Sequence, residues 1–259
     1  MRWPSFFAAL LAALLALPAA AESLDIGLSR DAIAITSNFD GTQVTVFGTV
    51  AEPEAAALAA DAPGKGYDIV VTLTGPPQNV TVRRKRRVAG IWANGASQLY
   101  VSVPAFYATA STRPLEALTA PEQLALLQIG PENLDFPPRG LILPEEERRA
   151  FTAALVRLRR TGDLFARVDG SVAMLSPTLF RATFHLPANV PVGTHAAQAF
   201  LFKDGNYLNS TSRSLLIEKE GFERFAYALA YDYGLLYGLV AVLIAIATGW
   251  LASVAFRRD

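Results

Sequence analysis

Five consecutive cations, Arg83-Arg84-Lys85-Arg86-Arg87, form the densest run of charge in the chain. Val80, Val82 and Val88 flank them in a pattern that reads as a β-strand. Alternation along such a strand sends Arg83, Lys85 and Arg87 to one face and Arg84 and Arg86 to the other. No buried strand tolerates charge on both faces, so the segment is expected at a sheet edge or on a protruding hairpin. Two uses of it stand open. Lys and Arg on an edge strand block edge-to-edge aggregation. The same charges also make a docking patch for a small oxyanion (sulfite, sulfate or phosphate), an acidic partner surface or lipid headgroups. Trp92, in Gly90-Ile91-Trp92-Ala93-Asn94, is either a platform beside this patch or a core residue, and the core is its expected place.

The other reactive residue types assemble into nothing recognisable. His185 and His195 are the only histidines, on or beside separate strands, with no second ligand at metal-binding spacing. Glu145-Glu146-Glu147 have the look of paired catalytic carboxylates, but they open a helix, where acid complements the helix dipole. The absence of cysteine excludes disulfides, thiolate metal sites and cysteine nucleophiles. No G-x-S-x-G, P-loop or G-x-G-x-x-G is present. A non-enzymatic protein without cofactor or metal is therefore expected. An enzyme of unrecognised type would need a deep pocket lined by polar groups. Asn79-Val80-Thr81 and Asn209-Ser210-Thr211 are glycosylation sequons, meaningful only in a eukaryotic host. Lys plus Arg and Asp plus Glu balance at 23 each, which argues against nucleic acid as a partner.

The two ends set the topology. Met1-Arg2 precedes an apolar stretch, Phe6 to Leu17, that closes with Pro18-Ala19-Ala20-Ala21. A basic start, an apolar middle and an A-x-A site predict a secretory signal peptide over residues 1–21, cleaved after Ala21; an uncleaved anchor is the alternative. At the other end, residues 233–256 carry no charge and suffice to cross a bilayer as a helix. Arg257 and Arg258 follow at once and belong on the cytoplasmic side. Tyr231, Tyr233 and Tyr237 near one end and Trp250 near the other fit interfacial belts. Ala241, Ala245, Gly249 and Ser253 recur every four residues, a spacing that lets a second copy or another membrane protein pack closely, or that Ala-rich composition produces by chance.

Between the ends the chain reads as mainly β, with strands over Ala32–Thr36, Gln43–Val50, Tyr67–Thr74, Asn79–Val88 and Gln98–Val103. Asn94-Gly95 is the expected hairpin turn between a strand ending near Trp92 and one starting near Gln98. Pro114–Leu127 and Pro144–Arg160 predict helices, the second docking through Phe151, Leu155 and Leu158. Strand signals return at Ser171–Leu175, Leu179–His185, Thr194–Phe202 and Ser212–Glu218, with Asp204-Gly205 turning between the last two. Four late strands alone would make a marginal domain. The expected architecture is therefore one immunoglobulin-like β-sandwich, residues 22–112 and 163–219, split by a helical insertion, 113–162. A juxtamembrane helix over 220–232, a transmembrane helix over 233–256 and a cytoplasmic tail of 257–259 would follow. Two small β domains are the alternative.

Several phrases together carry a resemblance. They are Thr74-Gly75-Pro76-Pro77, the stretch from Val82 to Asn94, Pro104-Ala105-Phe106-Tyr107, Ser111-Thr112-Arg113-Pro114-Leu115, and Leu186 to Gly205. With the C-terminal span they resemble the alphaproteobacterial transmembrane protein family over nearly the whole mature chain, most specifically in the basic-to-tryptophan stretch. The resemblance implies a signal peptide, a β-rich periplasmic region and one C-terminal span, with no established activity. By association alone it suggests a sulfite-exporter-like permease as the partner. The expectation is a single-pass protein of the bacterial inner membrane. Its periplasmic domain would bind a partner, as an accessory to a transporter or other membrane protein, with a small-oxyanion receptor as the rival.

Overall fold

The computed structural model describes residues 23–51, 67–88, 90–140, 143–220 and 233–255. The expected signal peptide over residues 1–21, residues 221–232 of the expected juxtamembrane helix, and Arg257-Arg258 lie outside the described residues. The strands are β1 (Ser23–Leu28), β2 (Ala32–Ile35), β3 (Gly41–Ala51), β4 (Tyr67–Thr74), β5 (Pro77–Val88), β6 (Ile91–Pro104) and β7 (Tyr107–Ser111). After the first two helices come β8 (Pro138–Arg139), β9 (Phe165–Val168), β10 (Val172–Met174), β11 (Leu179–Pro187), β12 (Gly193–Lys203) and β13 (Asn206–Lys219). The helices are α1 (Leu115–Leu118), α2 (Pro121–Leu126), α3 (Glu145–Thr161) and α4 (Gly234–Ala255).

One sheet runs β1-β3-β11-β10, a second β2-β13-β12-β4-β7-β9, and a third β5-β6-β8. Early and late strands pair directly: β3 with β11 from Gly41↔Pro187 to Thr49↔Leu179, and β4 with β12 from Tyr67↔Lys203 to Thr74↔Ala196. The two halves of the chain therefore interleave in both larger sheets, which two separate small domains would not do. Period-2 patterning produces the shared core. Phe180, Ala182, Phe184 and Leu186 point inward from β11 while their neighbours stay out. They meet Val44 and Val46 of β3, Ile69, Val71 and Leu73 of β4, and Ala197, Ala199 and Leu201 of β12 in one cluster.

The opposite face of the six-stranded sheet is also covered. Val70, Phe200 and Phe202 pack against Leu115, Leu118, Leu124 and Ile129 of the insertion. A third cluster joins Val82, Tyr100 and Val103 of the β5–β6 ribbon to Tyr107, Phe136, Phe151, Leu155 and Phe165. The helix expected over Pro114–Leu127 is broken into α1 and α2. Ala120 is extended (φ −64°, ψ 147°) because it precedes Pro121, whose ring disfavours the helical conformation there. Leu158, expected on the docking face of α3, is 60% exposed, and the buried stripe consists of Phe151 and Leu155.

Asp204 (φ +48°) and Gly205 (φ +84°) form the expected two-residue turn between β12 and β13. The Asn94-Gly95 turn is a correction. β5 stays paired with β6 as far as Val88↔Ile91, so the chain reverses at Gly90 (φ +85°), and Asn94 and Gly95 lie inside β6. The register shift between Arg83 and Lys85 absorbs one extra residue, with Gly95 and Ala96 together opposite Arg84.

α4 is 22 residues long with no charged side chain, about 33 Å at 1.5 Å per residue. Among the described residues no helix is long and apolar enough to cross a membrane, so the span expected over 233–256 is not shown by the fold.

Gly48 lies in the inward series of β3, where an added Cβ would overlap the Phe180 ring and approach the Asp25 carbonyl oxygen to 2.8 Å. Gly48→Ala should therefore destabilise the fold by about 1–3 kcal/mol, as overpacking of a rigid core does. Urea unfolding checks this, and a loss under about 0.5 kcal/mol would show that the sheets separate more easily than their packing implies.

Candidate functional site

The β5–β6 ribbon leaves the body with its base fixed and its tip free. At the base, Val82 and Tyr100 are buried against α3, and the Tyr100 hydroxyl lies 3.0 Å from Thr152 Oγ1. One step outward, Arg84 Nη1 donates to Glu147 Oε1 at 3.4 Å, and its guanidinium stands 5.0 Å from the Phe151 ring centroid. Beyond Arg84 no hydrogen bond, ion pair or ring contact joins the ribbon to α3 among the described residues. Arg83, Lys85, Arg86 and Arg87 are exposed and form no ion pair among the described residues. Arg87 Nε donates to the Gly90 carbonyl at 3.3 Å across the turn.

Trp92 is not a core residue. It is 67% exposed, beside Ile91 at 74% and Val88 at 46%. The reversal at Gly90 explains the difference, because it makes Trp92 the second residue of β6, at the tip and beyond the body. Val88 and Ile91 thus join the candidate site although the chemistry of their side chains gave no signal. The available clue was Gly90, which follows the strand-ending Val88 by two residues.

The basic run does not build an anion pocket. Its side chains leave both faces of a two-stranded ribbon and do not converge. The two described cavities lie elsewhere and are lined by none of residues 83–87. One, of about 540 Å³, runs along the outer side of α3 past Arg148, Thr152, Val156 and Arg160. The other, of about 250 Å³, lies between the sheet and α2, against Thr72, Tyr107, Gln198 and Phe200. The Glu145–Glu147 run is engaged in ion pairs: Glu145 accepts from Arg148 and Arg149, and Glu147 from Arg84. Ala241, Ala245, Gly249 and Ser253 are all exposed on α4 at their four-residue spacing. Among the described residues no three His, Asp or Glu stand together as metal ligands.

Other buried polar groups act within the scaffold. Asp68 is nearly buried and accepts from Arg113 Nε at 2.8 Å, from Arg113 Nη2 at 2.5 Å and from Thr112 Oγ1 at 3.0 Å. This clamp ties the chain after β7 to the start of β4 and gives the Ser111–Leu115 phrase a structural reason. The Tyr107 hydroxyl donates to the Gln128 carbonyl at 3.1 Å and accepts from Gly130 N at 3.0 Å, while burial pushes its pKa up. His185 is exposed, whereas His195 is fully buried with Nδ1 3.1 Å from the Gly193 carbonyl oxygen. A carbonyl only accepts, so Nδ1 carries the proton, and Nε2 is left without a partner.

Two outcomes follow. Trp92→Ala should change stability by no more than about 0.5 kcal/mol in denaturant titration, because the ring is in water; a core tryptophan would cost about 3–5 kcal/mol. For His195, burial holds the pKa below its ordinary value of 6.5, so the folded state binds a proton less well than the unfolded chain. Its contribution is then full above about pH 6.5 and is lost as pH falls through the depressed pKa. The thermal midpoint should drop on acidification below that point, and His195→Gln should flatten the drop. An unchanged slope in the variant would exclude His195 as its source.

No curated protein matches the chain. A family model described as putative transmembrane protein (Alph_Pro_TM) matches residues 23–258, nearly all of the sequence beyond the proposed leader, and the chain belongs to that family.

Proposed function

We propose that the chain is a non-enzymatic, single-span protein of the bacterial inner membrane. Its periplasmic domain docks on an anionic counterpart through the β5–β6 hairpin, as an accessory to a transporter or other membrane protein. One observation carries this reading: a tryptophan 67% exposed at the tip of a ribbon whose Arg83, Lys85, Arg86 and Arg87 have no carboxylate partner among the described residues. Val88 and Ile91 are exposed beside it, so the tip is a contiguous apolar patch, and Trp and Arg are the residues most often found at the centre of contacts.

The family supports the membrane assignment. So do the uncharged 22 residues of α4, with Arg257 and Arg258 behind them as a cytoplasmic stop and the leader ahead of residue 22 as the export signal. An immunoglobulin-like assignment for the outer domain rests on strand order. The sheet β1-β3-β11-β10 follows the A-B-E-D order, and β13-β12-β4-β7 follows G-F-C-C′. Ala245 and Gly249 on the small-residue face of α4 suit close packing by a second helix. A small-oxyanion receptor is less well supported, because the five cations do not converge on one point.

A photo-crosslinking residue at position 92 and cysteines at positions 245 and 249 test both contacts in native membranes. Adducts are expected from each, and those at position 92 should vanish when Arg83, Lys85, Arg86 and Arg87 are changed to Glu. Recovery of only unmodified monomer from every position would overturn the proposal.

A further inference from the structure

We infer that the β5–β6 hairpin is a second membrane contact. Ile91 and Trp92 enter the interfacial layer of an anionic lipid surface, and Lys85, Arg86 and Arg87 bind its phosphates. This rests on the reading of the hairpin as the docking element and names what it docks on.

The argument begins with the register. Arg87 stands opposite Trp92 and Lys85 opposite Asn94, while Val88 stands opposite Ile91 and Arg86 opposite Ala93. Residues directly opposite share a face. One face of the ribbon therefore carries Lys85, Arg87 and Trp92, and the other carries Arg86, Val88 and Ile91. Neither face is apolar or cationic as a whole. The segregation runs along the ribbon instead, with apolar residues at the turn and cations behind it on both sides.

A protein partner laid against one face would leave half of those cations unused. It would also need about 800 Å² from this side, while a tip with one aromatic ring supplies on the order of 200 Å² from that ring. An extended plane of negative charge, approached end-on, engages both faces at once. Depth agrees with this. At about 3.3 Å per residue, Arg87 sits roughly 3 Å behind Val88, and Arg83 roughly 17 Å. The nearer cations then lie at headgroup level when the tip reaches the edge of the hydrocarbon, and long side chains extend the reach of the others. Tryptophan, with an apolar body and one N–H donor, belongs at that boundary. The ribbon carries no acid of its own, since the sequence holds no Asp or Glu between Asp68 and Glu116, and Glu147 of α3 is paired with Arg84.

The test uses the full chain carrying Trp3→Phe and Trp250→Phe, which leaves Trp92 as the sole tryptophan. The protein is reconstituted in vesicles of phosphatidylcholine alone, or of phosphatidylcholine with phosphatidylglycerol, each containing lipids brominated along the chain. In the phosphatidylglycerol vesicles Trp92 emission should shift to the blue and be quenched, and added salt should reverse both changes. Each of Lys85→Gln, Arg86→Gln and Arg87→Gln should lower the docked-to-free ratio about five-fold, with the thermal midpoint unchanged. Absence of quenching, or equal quenching without phosphatidylglycerol, overturns the inference. A crosslinker at position 92 in native membranes separates the two levels. Capture of a protein together with absent quenching removes the lipid assignment and leaves the hairpin as a docking element. No capture and no quenching remove both.

Discussion

A β-strand packed on both of its faces obliges a protein to build a layer on each side, and β4 is such a strand. Ile69, Val71 and Leu73 face the four-stranded sheet, while Val70 faces the insertion. Antiparallel sheets commonly leave one face to water. Here that option is closed, so α1, α2 and the segment to Phe136 serve as the second wall of the core. Tyr107 fastens this wall through Gln128 and Gly130, and Thr119 Oγ1 donates to the Gly205 carbonyl at 2.5 Å. Once the wall is in place, α3 lies along it, and Phe151 and Leu155 give the β5–β6 ribbon a surface to rest on. The projecting hairpin is thus three packing steps removed from the strand that makes it possible.

The charges sort into two populations. Several of those of the body are spent on one another: Arg113 on Asp68, Arg160 on Glu132, Arg167 on Asp169 and Glu116. The Arg167 guanidinium holds the Glu116 carboxyl at about 2, far below the carboxylate range, and its own pKa rises in return. In the ribbon only Arg84 is used in this way. Its pair with Glu147 and its stacking over Phe151 mark the point where the ribbon stops being held by the body. The next cations hold their charge in water, where an external anion meets no internal competitor.

Much of the β framework is legible because strands with one face in the core advertise a period of two, as β11 does along its whole length; β4, buried on both faces, is marked instead by its β-branched run before the Pro76-Pro77 turn signal. β7 and β9 were not expected as strands. Tyr-Ala-Thr-Ala-Ser in β7 is small and buried at every position, so it shows no alternation, and β9 is four residues at a sheet edge. Trp92 was misplaced for a different reason. A large apolar side chain in a strand normally marks the core, and its exposure depends on where the ribbon turns. That position is fixed by continued pairing to Val88, which outweighs the local preference of Asn94-Gly95 for reversal. Leu158 shows the same limit, since helical spacing shows which residues share a face and not how much of that face a neighbour covers.

The parallel pairing of β13 with β2 has a mechanical consequence. Four successive pairs, Leu216↔Ala32 to Lys219↔Ile35, join the opening strands of the domain to the strand from which the chain departs toward α4, and Glu220 N donates to the Ile35 carbonyl at 2.9 Å beyond them. In the proposed topology, with α4 held in a membrane, tension carried along β13 would load these bonds in shear, so that they share the force.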